Sequence, residues 1–248
     1  MKIKGLLLDL DGTLYKDDEP IKGAPEALSQ LKAAGLVLRY VTNTTRKPRG
    51  TVHKRLTSLG FDIEEDEILT PARVASRLIG DRTCFPLVDE ALLEDLVEVQ
   101  FTDKAPDFVL VGDLGEDFTY GRLNEAFRLL MQGAQLLALQ KNRYWSTGGE
   151  PTLDAGPFVA ALEYASKKGA TVVGKPEESF FRIALEEMEL EAAEVAMVGD
   201  DPESDVAGAQ AAGLYGVQVK TGKYRPGNVG EPDLTVESIA RLPEALDL

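Results

Sequence analysis

Two segments of the sequence place aspartates immediately after an apolar run. Residues 6–8 are all Leu and lead into Asp-Leu-Asp-Gly-Thr at 9–13, and the apolar residues 195–198 lead into Gly-Asp-Asp-Pro-Glu-Ser-Asp at 199–205. Carboxylates that crowd together repel one another, so they need a cation or a shared proton to be stable. Oxygen donors suit Mg²⁺, whereas zinc usually takes His or Cys, of which the chain has one each. The two segments therefore predict a magnesium site.

Each acidic segment also has a plainer explanation. The first could be an ordinary turn, and in the second Ser204 or Asp205 could cap a helix. Helix capping leaves Asp200 and Asp201 unexplained. An EF-hand calcium loop is excluded, because Gly12 stands at the fourth position of such a loop rather than at the sixth.

Polar side chains also follow two other predicted strands. Thr42 and Asn43 come after the mostly apolar residues 36–41, and Lys175 comes after residues 170–173. Lys175 lies in a near match to a phosphate-binding P-loop that lacks the metal-binding Ser or Thr. A lysine beside a turn is often only a solvated surface charge. Its position at the end of a strand, like that of the other three segments, predicts instead that it belongs to the same site.

The rest of the chain alternates short apolar runs with amphipathic stretches. This pattern predicts an α/β protein with a doubly wound, mostly parallel sheet. We predict strands at 3–8, 36–41, 67–70, 170–173, 195–198 and 214–219, and helices at 25–34, 47–59, 179–188 and 205–212. The carboxyl ends of parallel strands share one edge of the sheet, where such sheets bind ligands. The polar segments should meet at that edge.

The middle of the chain carries its own set of elements. Strands are predicted at 108–111 and 135–139, and helices at 120–131 and 158–167. No Gly/Ser-rich linker separates this set from its surroundings. We therefore predict a core formed by residues 1–79 and 171–248, interrupted by a smaller α/β cap at residues 80–170.

The composition excludes several classes of function. The 248 residues include 42 acidic side chains against 27 Lys and Arg, and the net charge of −15 disfavours nucleic-acid binding. The apolar runs are too short for a membrane span, and Asp9 interrupts the first run too early for a secretion signal. We expect a soluble, cytoplasmic protein. The lone Cys84 excludes a disulfide framework and is expected to be a small buried side chain, and the lone His53 offers no catalytic triad.

The four polar segments resemble the four motifs of the haloacid dehalogenase superfamily, in the same order. The match consists of Asp-Leu-Asp-Gly-Thr at 9–13, the strand-end Thr42, Lys175, and the acidic segment at 199–205. The resemblance implies the Rossmann-like fold of that superfamily. The insertion between the second and third motifs is similar to that of subclass IIA, which has an α/β cap at this point. Similarity to members of this subclass continues at 109–114, 124–131, 154–165, 173–176 and 220–224.

The resemblance implies a magnesium-dependent phosphatase that acts on a small phosphorylated metabolite through an aspartyl-phosphate. Asp9 would be the nucleophile, and Asp11 would be the general acid and base. The side chains of Asp9 and Asp200 and the backbone carbonyl of Asp11 would hold Mg²⁺. Asp201 and Asp205 would lie outside the direct ligands, with Asp205 supporting the coordinating waters.

The phosphate would be bound by the remaining polar residues. Thr42 and Lys175 would offset its charge, and Asn43 would contribute beside Thr42. Arg143, in the predicted cap, could contact an anionic group of the substrate or simply lie at a solvated rim. Members of the superfamily often dimerise through the cap, so a homodimer is a further expectation, without nucleic-acid or membrane partners.

Two other functions remain open. A phosphoacceptor signalling module, like a receiver domain, also places acids, a hydroxyl and a lysine at the edge of a doubly wound sheet. Such a module needs only part of this length and no cap, and a second aspartate placed as an acid and base promotes release of the phosphoryl group. A non-catalytic binding protein of the same fold is the other alternative. The intact Asp9, Asp11, Lys175 and Asp200 argue against it.

Overall fold

The computed structural model describes residues 2–147, 150–225 and 231–248. The chain forms two compact units. The core unit comprises Met1–Thr42, Arg49–Leu69 and Lys175–Leu248, and the inserted unit comprises Asn43–Pro48 and Thr70–Gly174. The predicted domain boundaries at residues 80 and 170 stay a prediction.

The core unit is built on one parallel sheet. Across the sheet the strands are Leu234–Val236, Tyr215–Val219, Val195–Gly199, Gly5–Asp9, Val37–Val41 and Ile68–Leu69. Every neighbouring pair is parallel. The helices of this unit are Ala24–Ala33, Arg49–Ser58, Glu178–Met188, Gly208–Ala211 and Leu242–Ala245, with a π-helical turn at Pro202–Ala207 and a two-stranded hairpin of Tyr15–Lys16 and Glu19–Pro20.

The central strands of the core sheet are covered on both faces. Leu6, Leu7 and Leu8 are consecutive and all fully buried, although successive side chains of a strand point to opposite faces. This is why the sequence there is a continuous apolar run rather than an alternating one. The predicted α/β class with a doubly wound parallel sheet is therefore confirmed.

The inserted unit has a parallel sheet of its own. Its strands, in order across the sheet, are Thr171–Val172, Gln135–Ala138, Phe108–Val111, Thr83–Leu87 and Gln100–Phe101. Its helices are Pro71–Ile79, Tyr120–Met131 and Ala155–Ser166. An antiparallel hairpin joins Tyr144–Thr147 to Glu150–Leu153. Apolar residues from three strands and two helices pack together, among them Leu87, Val109, Leu136, Ala126 and Val159.

The strand predicted at 170–173 lies in a different sheet from the one expected. It is Thr171–Val172, and it pairs with Gln135–Ala138 of the inserted unit rather than with a core strand. A short β-branched run is compatible with either sheet, and the choice of partner is made by residues distant in sequence. Leu234–Val236, not 214–219, is the last strand of the core.

The single cysteine is buried, as predicted, and the single histidine lies on a helix. Cys84 is fully buried in the Thr83–Leu87 strand, and burial raises the pKa of its thiol to about 12. His53 lies half-buried on the Arg49–Ser58 helix, with Nε2 3.0 Å from the Ile63 carbonyl oxygen. No helix in the described part of the chain combines the length and the apolar character that a membrane span requires.

Candidate active site

A buried ammonium group joins two of the predicted site aspartates. Asp9 is the last residue of the Gly5–Asp9 strand. Lys175 places Nζ 2.6 Å from Asp9 Oδ1 and 2.7 Å from Asp205 Oδ1. The Lys175 side chain is only 2% exposed and that of Asp205 1%. Thr13 donates from its hydroxyl to Asp9 Oδ2 at 3.4 Å. The first, third and fourth predicted segments therefore meet at the carboxyl edge of the core sheet.

Lys175 lies at the predicted edge, but the strand before it in the sequence lies in a different sheet from the one predicted. The strand before it belongs to the inserted unit, so Lys175 is not at the end of a core strand. The lysine itself lies in the core unit, in the segment before the Glu178–Met188 helix. Its convergence with Asp9 was predicted, but the strand-end argument for that convergence was wrong.

Asp200 completes a cluster of carboxylates. One carboxylate oxygen each from Asp9, Asp200 and Asp205 lie within 4.8 Å of one another, the only such potential metal-binding group in the described residues. Asp200 is 3% exposed and accepts the Lys223 N–H on Oδ2 at 2.7 Å. The cluster consists of oxygen donors alone, as Mg²⁺ prefers.

The electrostatics of the cluster show that its negative charge is under-compensated. Burial raises the pKa of Asp9, and Asp200 adds to that rise, while Lys175 opposes it. Burial raises the pKa of Asp205 to about 7, with Asp9 adding and Lys175 opposing. Burial alone would lower the pKa of Lys175, but Asp205 and Asp9 together raise it. One ammonium group shared by two carboxylates is held firmly charged, while each carboxylate has too little positive charge near it.

The residues present therefore fit a divalent cation. Asp9, Asp200 and Asp205 carry three negative charges when ionised, and Lys175 supplies one positive charge, which leaves −2 in a buried space. A buried net charge is costly unless an ion compensates it. Burial also raises the pKa of Asp200, against the opposing Lys223 N–H. A bound divalent cation would remove these penalties together.

Asp201 caps the helical turn that follows, and the Ser204 or Asp205 cap considered from sequence is not formed. Asp201 Oδ1 accepts the N–H groups of Glu203 and Ser204 at 3.0 and 3.1 Å. Although burial acts to raise its pKa, the Lys223 ammonium, with Nζ 2.9 Å from Oδ2, and the two N–H groups lower it. Asp205 uses its second oxygen to accept the Asp201 N–H at 3.1 Å.

Sequence reasoning missed the loop that closes over Asp200. Thr221 donates from its hydroxyl to the Gly12 carbonyl, and a Cβ on Gly222 would overlap Asp200 Oδ2. Gln218 Nε2 donates to the Asp200 carbonyl at 2.7 Å. Gln218 and Gly222, shortly after the four acids of residues 199–205, were the available signals, but nothing local to residues 218–223 shows that this loop contacts the first motif.

Asp11 lies in a tight turn after the first strand. Its side chain is exposed, and the following Gly12 has φ +83°. The Gly12 N–H donates to the Tyr15 carbonyl at 2.7 Å. A Cβ on Gly12 would overlap Asp200 Oδ2, so glycine is required here for both backbone and space.

A Gly12→Ala variant is expected to weaken Mg²⁺ binding, because the added methyl group displaces the Asp200 carboxylate. The matched control is Gly35→Ala, since Gly35 has φ +82° but no described atom within 4 Å of a Cβ. Both variants should lose about 1–2 kcal/mol of stability from the left-handed backbone. Only Gly12→Ala should need a higher Mg²⁺ concentration than the wild type for the same rise in melting temperature. An equal Mg²⁺ response in the two variants would contradict this role of Gly12.

The remaining predicted residues divide between the two units. Thr42 follows the Val37–Val41 strand in the core unit, and its N–H donates to the Leu69 carbonyl at 3.2 Å. Asn43 belongs to the inserted unit, where the absence of a side chain on Gly174 leaves room for its Oδ1. Arg143 is exposed in the inserted unit, before the Tyr144–Thr147 strand. The roles of these three residues stay predictions.

Comparisons with known proteins agree with this architecture. Residues 6–102 match the family model described as haloacid dehalogenase-like hydrolase, and residues 172–242 match one described as HAD-hydrolase-like. The human haloacid dehalogenase-like hydrolase domain-containing protein 2 is 45% identical over 251 residues, covering 99% of this chain and 95% of the relative. The human phospholysine phosphohistidine inorganic pyrophosphate phosphatase is 38% identical over 256 residues, covering 99% and 94%.

Solved structures of similar fold also include phosphatases. The p-nitrophenyl phosphatase from Archaeoglobus fulgidus superposes with a TM-score of 0.91 at 28% identity, covering 99% of this chain and 100% of that one. NagD from E. coli K-12 superposes with a TM-score of 0.88 at 26% identity, covering 97% and 98%. The resemblance drawn from the four motifs is thus confirmed over nearly the full length, and the chain belongs to the haloacid dehalogenase-like hydrolase family.

Proposed function

We propose that this hydrolase is a magnesium-dependent phosphatase that acts on a small phosphorylated substrate through an aspartyl-phosphate on Asp9. The observation that carries the proposal is the contact of Asp9 with the buried Lys175, beside Asp200 and Asp205 at the sheet edge. Family membership supports it, because relatives and structural neighbours of this chain are named as phosphatases.

The metal would be held by the oxygens that the turn and the cluster present. The side chains of Asp9 and Asp200 and the backbone carbonyl of Asp11 would bind Mg²⁺, with Asp201 and Asp205 outside them. The Asp205 side chain is only 1% exposed, against 13% for Asp9, and it accepts from Lys175 and from the Asp201 N–H, which suits a supporting role. The ion would neutralise charge that develops on the phosphoryl oxygens.

The chain's own side chains would carry the two transfers. A carboxylate oxygen of Asp9 attacks phosphorus as the bond to the leaving oxygen breaks, and Asp11 gives that oxygen a proton. Asp11 then takes a proton from water, whose oxygen attacks phosphorus and releases phosphate and free Asp9. Lys175 and Thr42 would stabilise the phosphoryl group with their ammonium and hydroxyl groups.

The two alternatives differ from a phosphatase in what happens to the phosphoryl group. A receiver-like signalling module would hold a long-lived phosphoryl group on Asp9, and a non-catalytic binding protein would bind phosphate or Mg²⁺ without turnover. The carboxylate of Asp11, two residues beyond the end of the Gly5–Asp9 strand and exposed, favours turnover.

Purified protein is expected to hydrolyse p-nitrophenyl phosphate with Mg²⁺ and to lose about 100-fold or more of its rate on chelation with EDTA. Released phosphate and nitrophenolate are measured together, and Mg²⁺ without substrate should raise the melting temperature. Metal-independent turnover would contradict the mechanism. A stable phosphoprotein would favour the signalling module, and a Mg²⁺-dependent melting shift without hydrolysis would favour the binding protein.

The remaining expectations belong to the same proposal. The substrate would be a small phosphorylated metabolite, the protein would be cytoplasmic, and neither nucleic acid nor a membrane would be a partner. Arg143 and Asn43 would bind substrate, and the inserted unit would act as the cap through which a homodimer forms. Released phosphate from a panel of phosphomonoesters, pyrophosphate and phospho-amino acids identifies the substrate, and a sizing column determines the oligomeric state.

A further inference from the structure

The segment after the first core strand folds back on itself around Asp11. Asp11 and Tyr15 form an isolated bridge, and the Gly12 N–H donates to the Tyr15 carbonyl at 2.7 Å. The Ile21 N–H donates to the Leu14 carbonyl at 2.8 Å and closes the segment behind them. The backbone that carries Asp11 is therefore connected directly to the position of Tyr15.

Arg55, on the Arg49–Ser58 helix, contacts this segment from a different element of the core unit. Its guanidinium carbon lies 4.6 Å from the centre of the Tyr15 ring. Its Nη2 donates to the Asp17 carbonyl at 2.5 Å and lies 3.2 Å from Asp18 Oδ1. Because the Asp18 side chain is 98% exposed, that ion pair contributes little. Arg55 therefore holds the segment mainly through its contact with the Tyr15 ring and its hydrogen bond to the Asp17 carbonyl.

The contact between Arg55 and Tyr15 is partly shielded from water, mainly on the side of the ring. Tyr15 is 8% exposed, and Arg55 Nε is buried without a hydrogen-bond partner among the described atoms. The Arg55 side chain is 32% exposed, so its guanidinium is partly desolvated, and a partly desolvated cation over an aromatic ring is a stronger contact than a fully exposed one. Burial raises the pKa of Tyr15 to about 12, with Arg55 opposing the rise and Asp11 and Asp9 adding to it.

We propose that Arg55 is a positioning residue for Asp11: by fixing Tyr15 and the Asp17 carbonyl, it holds the Asp11 carboxyl group in place to protonate the leaving oxygen. The inference rests on the proposed function, in which Asp11 is the general acid and base. No pattern around Arg55 marks it, since it is an arginine on a helix far along the chain from Asp11.

The choice of leaving group separates positioning from a general structural role. Phenolate is a much stronger base than p-nitrophenolate, so phenyl phosphate depends more on a proton from Asp11 than p-nitrophenyl phosphate does. A displaced Asp11 should therefore slow phenyl phosphate more. A smaller fraction of folded protein would lower both rates by the same factor.

The test compares Arg55→Met, Tyr15→Leu and the double variant on the two substrates. The control is Arg182→Met, which removes an exposed arginine that is paired with Glu186 at 2.6 Å. Arg55→Met should lower kcat for phenyl phosphate about tenfold more than for p-nitrophenyl phosphate, with KM nearly unchanged. Asp11→Asn provides the reference for a complete loss of acid assistance.

Three further results bear on the same inference. Because Arg55 acts through Tyr15, the double variant should lose no more selectivity between the substrates than the stronger single variant. Hydrogen exchange at the Gly12 amide should accelerate in Arg55→Met but not in Arg182→Met. Arg55→Lys keeps the charge but not the planar fork, and should recover only part of the lost selectivity.

Equal losses on the two substrates, or additive losses in the double variant, would overturn the positioning role while leaving the proposed phosphatase intact. A wild-type protein that hydrolyses neither phosphate ester would overturn the proposed function, and this inference with it. The two failures are distinguished by the wild-type rates alone.

Discussion

The Asp9→Asn variant is expected to lose turnover of p-nitrophenyl phosphate by about 10⁴-fold or more, as removal of a nucleophile does in other enzymes. The amide has the shape of the carboxylate but does not form the acyl-phosphate bond. The fold should persist, because Lys175 keeps its 2.7 Å contact with Asp205. In EDTA the melting temperature should not fall, since the change removes one of three crowded negative charges.

Asp66→Asn is the matched control for this experiment. Asp66 is an exposed aspartate of the core unit, outside the carboxylate cluster, and its variant should retain wild-type turnover. Rapid acid quenching of the wild type during turnover should trap one phosphoryl group per chain, detected by mass spectrometry, and Asp9→Asn should trap none. Full activity of Asp9→Asn would exclude the aspartyl-phosphate.

The Lys175→Met variant is expected to be destabilised by about 3–5 kcal/mol, because Asp9 and Asp205 are then left buried without their ammonium partner. For a chain of this size the melting temperature should fall by roughly 6–20 °C. Methionine fills a similar volume, so the loss comes from charge rather than from a cavity. Thermal unfolding in EDTA measures it.

The pH dependence of that loss has a definite sign. Burial raises the pKa of Asp9 and Asp205 in the folded state, and removal of Lys175 raises both further. A carboxyl group whose pKa is raised on folding destabilises the fold above its unfolded pKa, and the penalty disappears as the pH falls towards that value. The melting deficit of Lys175→Met should therefore be smaller at pH 5 than at pH 8.

Lys32→Met is the control for burial. Lys32 Nζ lies 3.2 Å from Glu67 Oε2, but its side chain is 33% exposed, against 2% for Lys175. The same substitution there should cost about 0–1 kcal/mol. A similar loss in both variants would show that the buried position of Lys175 is not what makes its charge important.

The sequence alone was sufficient to predict the convergence of Asp9, Asp200 and Asp205, whereas Lys175 was placed with them by a strand-end argument that the structure does not support. Asp9 and Asp200 adjoin strands buried on both faces, whose continuous apolar runs are easy to identify, and parallel strands end at a shared edge. Asp205 lies in the helical turn that follows the second of these strands. The Gly5–Asp9 and Val195–Gly199 strands are direct neighbours in the sheet. Local pattern and topology together therefore determined this part of the site.

The parts that were missed depend on contacts between residues far apart in sequence. The Thr171–Val172 strand was assigned to the core because its composition does not identify its partner in the sheet. Thr221 and Gly12, joined by a hydrogen bond, are separated by most of the chain. The Pro71–Ile79 helix is a different case, since its Thr70 cap and its initial proline are signals that sequence reading could have used.

The burial of Cys84 has a practical consequence for labelling. With a thiol pKa of about 12, roughly one thiol in 10⁴ is ionised at pH 8, and the side chain is fully buried. Cys84 is also the only cysteine in the chain. A single cysteine introduced at an exposed position, such as Asp18, would therefore be the sole group to react with a maleimide. Spin labels or fluorophores can be attached to the native background without first replacing Cys84.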